Sequence, residues 1–228
     1  MTRFLVLFLV LFLLLPAPAF TAERDYPLVS SDARVLEGNE IFESAFRKLE
    51  KELDVLVEKY ATELRPDIQI LFDDSQMDWI VCFNAEAKAF RPTDVWTREN
   101  ASGDIYENLY QQNMLFALSF RIGQIREFQG EVTTEPRYDE ARQKILLAEI
   151  EEAQYRATSW TEERLRPRLY RADKAWEAYR AGVRKFAEAL GWEEARIMEL
   201  DFLLLEYRLT LLSRQKEALF RLKFEAEE

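Results

Sequence analysis

The sequence predicts an all-α fold, two tandem three-helix units forming a helical bundle, and three observations predict it. Apolar residues recur at alternating three- and four-residue steps over long stretches. Glycine and proline are sparse, six and seven in 228 residues, against abundant Leu, Ala, Glu, Arg and Phe. A tryptophan-centred helical stripe also occurs twice. In the stretch 169–190, Trp176, Tyr179, Val183, Phe186 and Leu190 share one face; in 71–90, Phe72, Gln76, Trp79, Phe83 and Phe90 form a similar stripe with Trp79 in the place of Trp176.

The elements follow in order. Residues 20–38 carry Pro27 and Ser30-Ser31 without a sustained apolar period and read as a lead-in. From Asn39, a plausible N-cap, Phe42, Phe46, Leu49, Leu53, Leu56, Tyr60 and Leu64 step by four and three until Pro66 ends a first helix. The second helix spans about 67–90. Pro92, Asn100, Ser102 and Gly103 make the next stretch a loop, in which Trp96 either contacts a ligand or folds back on the core, the commoner use. A third helix, about 105–128, is apolar over much of its girth. QGEVTTEP, 129–136, then marks a boundary between a first unit, 39–129, and a second, 137–226. The second unit reads as helices over about 137–165, 169–190 and 192–224, with Pro167 separating the first two and Gly191 ending the middle one. The two triplets end alike: Arg121 follows Trp79 by 42 positions and Arg208 follows Trp176 by 32, the loop around Trp96 accounting for the difference. A degenerate tandem repeat is the economical reading, although aromatic-striped triplets also resemble one another by chance.

The first residues carry Arg3, an apolar run from Phe4 to Leu15, and Ala17-Pro18-Ala19, the features of a signal peptide over 1–19. The run is shorter than the roughly 20 residues that span a membrane, so membrane association is expected only through the signal before cleavage. No cysteine stands near the cleavage site, which excludes a lipoprotein. Cleavage takes away one charge, Arg3, so 31 basic residues become 30 against 42 acidic ones and the net charge moves from −11 to −12. An acidic chain does not suit nucleic acid, and no glycine-rich phosphate loop is present.

With no histidine, the chain lacks the commonest general base and metal ligand, and neither metal nor cofactor is expected. Adjacent carboxylates such as Asp73-Asp74, Glu162-Glu163 and Glu193-Glu194 point about 100° apart on a helix and do not converge for acid–base work. The chain therefore reads as no enzyme. Cys82, the single cysteine, reads as a small buried hydrophobe in preference to a reactive thiol or an intermolecular bridge. Asn100-Ala101-Ser102 fits a glycosylation acceptor, a match too short to weigh.

Gln76-x-x-Trp79 and, more fully, Ala172-x-x-x-Trp176-Glu177-Ala178-Tyr179-Arg180 resemble the helix motif of the LprI-type lysozyme-inhibitor family, Ala-Gln-x-x-Trp-x-x-Tyr-Arg. That family's Leu-Asn-x-x-Tyr is echoed at Leu56 to Tyr60, and its Arg-Thr-x-x-Leu at Arg121 to Ile125 and Arg208 to Leu212. The chain departs from the motif at Cys82 and Phe83, Asp173 and Val57. Ala87 and Arg184 stand at its cysteine places, so the family's disulfide is missing. The resemblance implies a bacterial envelope protein, exported to the periplasm, that binds another protein, with a basic lysozyme-type enzyme as the named candidate. A scaffolding or chaperone-like envelope role is the alternative. The motif residues Gln76, Trp79, Arg121, Trp176, Tyr179, Arg180 and Arg208 are expected to be structural, each arginine tied to a fixed partner inside its own unit because a guanidinium beside an apolar stripe is costly to desolvate alone.

Overall fold

The computed structural model describes residues 32–90, 103–131, 137–161 and 163–224. The signal sequence, Trp96, the Asn100-Ala101-Ser102 triplet and the side chain of Phe90 lie outside the described residues. Among the described residues there are six α-helices and no strand: α1 (Asp32–Glu63), α2 (Pro66–Phe90), α3 (Gly103–Phe128), α4 (Glu140–Trp160), α5 (Arg166–Ala189) and α6 (Glu194–Phe224), with a 3-10 turn at Glu163–Leu165. The fold is an all-α bundle, and no described helix is long and apolar enough to cross a membrane.

Two boundaries differ from the sequence reading. α1 starts at Asp32, so Asn39 lies inside the helix and does not cap it. Residues 32–38 supply Asp, Ala, Arg, Leu and Glu, and the single Gly38 costs only about 1 kcal/mol, which a long helix absorbs. The fourth helix is shorter than 137–165. Asp139 accepts a hydrogen bond from the Arg142 amide at 3.0 Å, which fixes the N-cap, and Thr161 caps the other end in an extended conformation. The 3-10 turn then runs directly into α5, whose first turn accommodates Pro167 because the missing N–H would be unbonded there in any case.

Gly191 closes α5 as the sequence predicts. It adopts φ +76°, its amide bonds to the Glu188 carbonyl, and the Trp192 amide reaches back to Ala187, which satisfies carbonyls the helix end leaves orphaned. Gly130 ends α3 with the same pair of bonds at φ +74°.

Within each triplet the first and third helices pack together, α1 on α3 and α4 on α6. The middle helices, α2 and α5, pack most extensively on each other. They run antiparallel: Phe72 near the start of α2 meets Phe186 near the end of α5 at 5.3 Å between ring centroids, and Ala89 near the end of α2 packs against the cluster that Leu169 near the start of α5 forms with Ala157 of α4. Residues 72 and 89 of the first triplet correspond to 169 and 186 of the second, so the two contacts exchange under the repeat.

This crossing merges the units into one main core, to which α1, α2, α3, α5 and α6 all contribute. At one end Tyr60, Phe72, Phe128 and Phe186 interlock edge to face; at the other Tyr207 of α6 stacks on Phe120 of α3 at 4.2 Å and on Phe116 at 5.3 Å. The stretch 129–136 thus joins the triplets in sequence without separating their interiors. α4 lies outside the main core, packing Leu146, Ile150 and Ala153 on Phe202, Leu205 and Leu212 of α6 in a smaller cluster and Ala157 with Leu169 of α5 in another.

Candidate functional site

The motif residues assemble around the α2–α5 crossing. Trp79 and Trp176 are both buried, 2% and 4% exposed, which places them in the core. Trp79 packs on Phe83 at 5.1 Å, and Trp176 packs on Tyr179 and Tyr207, each at 5.8 Å. Between these rings sit two guanidinium groups, Arg121 from α3 and Arg208 from α6, essentially without solvent exposure.

Arg121 is held by neutral acceptors. Its Nε donates to Gln76 Oε1 at 3.0 Å, its Nη2 to Ser75 Oγ at 3.2 Å, and its Nη1 to Gln124 Oε1. The Tyr179 hydroxyl, which comes from the other triplet, donates to the same Gln124 oxygen at 2.8 Å, and the guanidinium lies 5.7 Å from the Tyr179 ring centroid and 6.0 Å from that of Phe72. No carboxylate joins this cluster among the described residues. Burial therefore lowers the Arg121 pKa, and burial likewise pushes the Tyr179 phenol up to about 12.

Arg208 is held by acids. Its Nη1 donates to Glu86 of α2 and its Nη2 to Asp173 of α5, with the guanidinium 5.6 Å from the Trp176 centroid. Burial works to lower the pKa of this group, but the two carboxylates outweigh it and the net direction is upward. Glu86 is itself buried, and desolvation raises its carboxyl despite the opposing Arg208. Cys82 is buried beside Glu86, and desolvation moves its thiol strongly upward, the opposite of what a reactive cysteine needs. The remaining space at Arg208, lined by Glu86, Gln154, Asp173 and Gln215 among others, has a volume of about 10 Å³, at most room for one water.

Each arginine has a fixed partner inside its own unit, as expected, and Arg208 has a second partner outside it. Arg121 finds Ser75, Gln76 and Gln124 in the first triplet, and Arg180 forms a two-pronged pair with Asp201 in the second, its Nη2 reaching Oδ2 at 2.6 Å. Arg208, however, bridges Asp173 of its own triplet and Glu86 of the other. The burial of both middle helices against each other brings Glu86 to it. Sequence reasoning missed Glu86, Gln124, Ser75 and Asp201. Only Gln124 carried a local signal, standing three residues after Arg121 on the same helical face.

All seven motif residues are thereby engaged in packing or side-chain pairing, six of them buried and Arg180 about one-third exposed. The outward side of the same crossing is different. Ile70, Met77 and Val81 of α2 lie on one helical stripe and are exposed, with Asp73, Asp74 and Asp78 alongside. Burial, then the neighbouring Asp74, raises the carboxyls of Asp73 and Asp78. Among the described residues no group of three or more Cys, Asp or Glu side chains is arranged to hold a metal ion. Compared with protein-family models, curated proteins and solved structures, the chain matches none.

Proposed function

We propose that this chain is an exported, acidic, all-helical protein-binding module of the bacterial periplasm, a degenerate two-copy relative of the LprI-type lysozyme inhibitors without enzymatic activity of its own. The observation that carries the reading is the outward stripe of α2, where Ile70, Met77 and Val81 are 61%, 39% and 54% exposed between aspartates. Apolar side chains left in water beside like charges suit a partner surface better than they suit solvent. The net charge of −11 supports a basic partner, since opposite charge raises the association rate. The motif residues act in this reading as the frame that holds α2 and α5 together.

The test is to titrate the chain beginning at Phe20 into a basic lysozyme, following the rate of cell-wall lysis and direct binding at low and high salt. Inhibition in step with binding, weakened by salt, is the expected result. A lysozyme that stays unbound and fully active removes that enzyme as the partner.

A further inference from the structure

Beside the exposed stripe, α2 and α5 leave a groove of about 290 Å³ lined by Leu71, Asp74, Met77, Asp78, Gly182 and Lys185. It exists because α5 is small on this side. A Cβ at Gly182 would lie 2.5 Å from Asp78 Oδ2, so only glycine lets α5 pass the Asp78 carboxylate as it stands. The neighbours Ala178 and Ala181 are exposed and add little bulk. Leu71 and Met77 supply apolar wall, and Asp74 and Asp78 supply carboxylates with no ion-pair partner among the described residues. Lys185 offsets only one of these two negative charges. The volume falls just under the range of about 300–1,000 Å³ typical of enclosed small-molecule sites, and the groove is open along one side. That shape suits a side chain protruding from another protein.

We propose that this groove receives an arginine side chain from a basic partner protein, its methylenes along Leu71 and Met77 and its guanidinium between Asp74 and Asp78, with an apolar neighbour of that arginine on Met77 and Val81. Arginine combines an apolar stem with a planar cation that can bond a carboxylate at two points, the combination these walls present. A second copy of this chain is a poor occupant, because two chains of net charge −11 repel. The inference rests on the protein-binding reading above and names the chemistry of its surface.

The experiment uses N-acetyl-Arg-Leu-amide as the probe, with N-acetyl-Glu-Leu-amide as control, followed by NMR of the Leu71, Met77 and Val81 methyls and the Gly182 amide. Saturable shifts confined to those groups are expected with the arginine peptide alone. The Asp74→Asn/Asp78→Asn variant, with unchanged helicity and melting temperature, should weaken the peptide about tenfold or more. Gly182→Ala should weaken it as well by displacing Asp78. Shifts spread over the acidic faces of α1 and α4, equal affinity in the double variant, or groove shifts that grow with protein concentration without peptide would each overturn the inference. If lysozyme binds and the double variant binds it equally well, the groove falls and the protein-binding reading stands. If the peptide occupies the groove and lysozyme does not bind, the groove stands and lysozyme falls as partner.

Discussion

Arg121 and Arg208 occupy the same place in their triplets, and the surrounding chemistry treats them in opposite ways. Around Arg121 the motif position is Gln76 and the other triplet offers the Tyr179 hydroxyl; around Arg208 the same two places hold Asp173 and Cys82, with Glu86 added. One centre is a buried cation on amide and hydroxyl dipoles, the other a buried cation shared by two carboxylates. The contrast extends outward. Arg180 and Asp201 pair in the second triplet, where the corresponding residues of the first are the apolar Phe83 and Met114, both buried. The frame therefore tolerates either polarity at a given site, and it does so although Arg208 Nε and Gln124 Nε2 find no acceptor among the described residues.

Breaking the ionic centre should have the largest effect. Arg208→Met leaves Glu86 buried without its counter-charge and should cost about 3–5 kcal/mol in urea unfolding at neutral pH. A loss under about 1 kcal/mol would mean that Glu86 is already neutral there, and the contrast between the centres would vanish. Arg121→Met removes the cation together with its desolvation cost and leaves only neutral amide and hydroxyl groups unsatisfied, so about 1–3 kcal/mol is expected. Equal losses at the two sites would show that charge pairing is not what distinguishes them. Arg180→Lys is smaller again, roughly 0.5–1 kcal/mol, because the pair is partly solvated and lysine forfeits only the second prong. Binding of any partner by the folded Arg180→Lys protein should be unchanged.

Glu86→Gln sharpens the comparison through pH. Folding raises the Glu86 carboxyl, and a carboxyl raised on folding stabilises the fold below its unfolded pKa and loses that contribution as the pH climbs through the folded value. The wild type should match the variant in acid and fall progressively behind it as the pH rises from about 4 toward neutrality. A gap that moves the other way would mean that Arg208, not burial, governs this carboxyl.

The parts of the fold legible in the sequence were those encoded locally. The stripes through Trp79 and Trp176 step by three and four, and Gly191 sits where a helix must turn left-handed, so both could be read from neighbours in the chain. The Arg180–Asp201 pair was half legible, since the arginine's need for an acceptor was evident and its identity was not. Glu86 was illegible for a geometric reason: it lies 122 positions from Arg208 and meets it only once α2 and α5 have crossed. The groove was hidden in the same way, because Gly182 inside a helical pattern looks like a weak point until Asp78 of another helix is brought against it. Asn39 misled because a good capping residue is not a boundary when strong helix formers precede it.

The separateness of α4 has a consequence for how the molecule breathes. Its apolar contact is limited to two small clusters, one on α6 and one in which Ala157 meets Leu169 of α5, and its N-terminal approach is held by Glu199, whose carboxylate accepts from the Arg137 and Tyr138 amides at 2.8 and 2.6 Å. α4 can therefore lift away while the α2–α5 crossing stays closed, a sub-global opening that costs less than full unfolding. In native-state hydrogen exchange the α4 amides should lose protection first, at denaturant concentrations that leave those of α2 and α5 untouched. Glu199→Gln should lower that opening energy further without moving the exchange of the central pair.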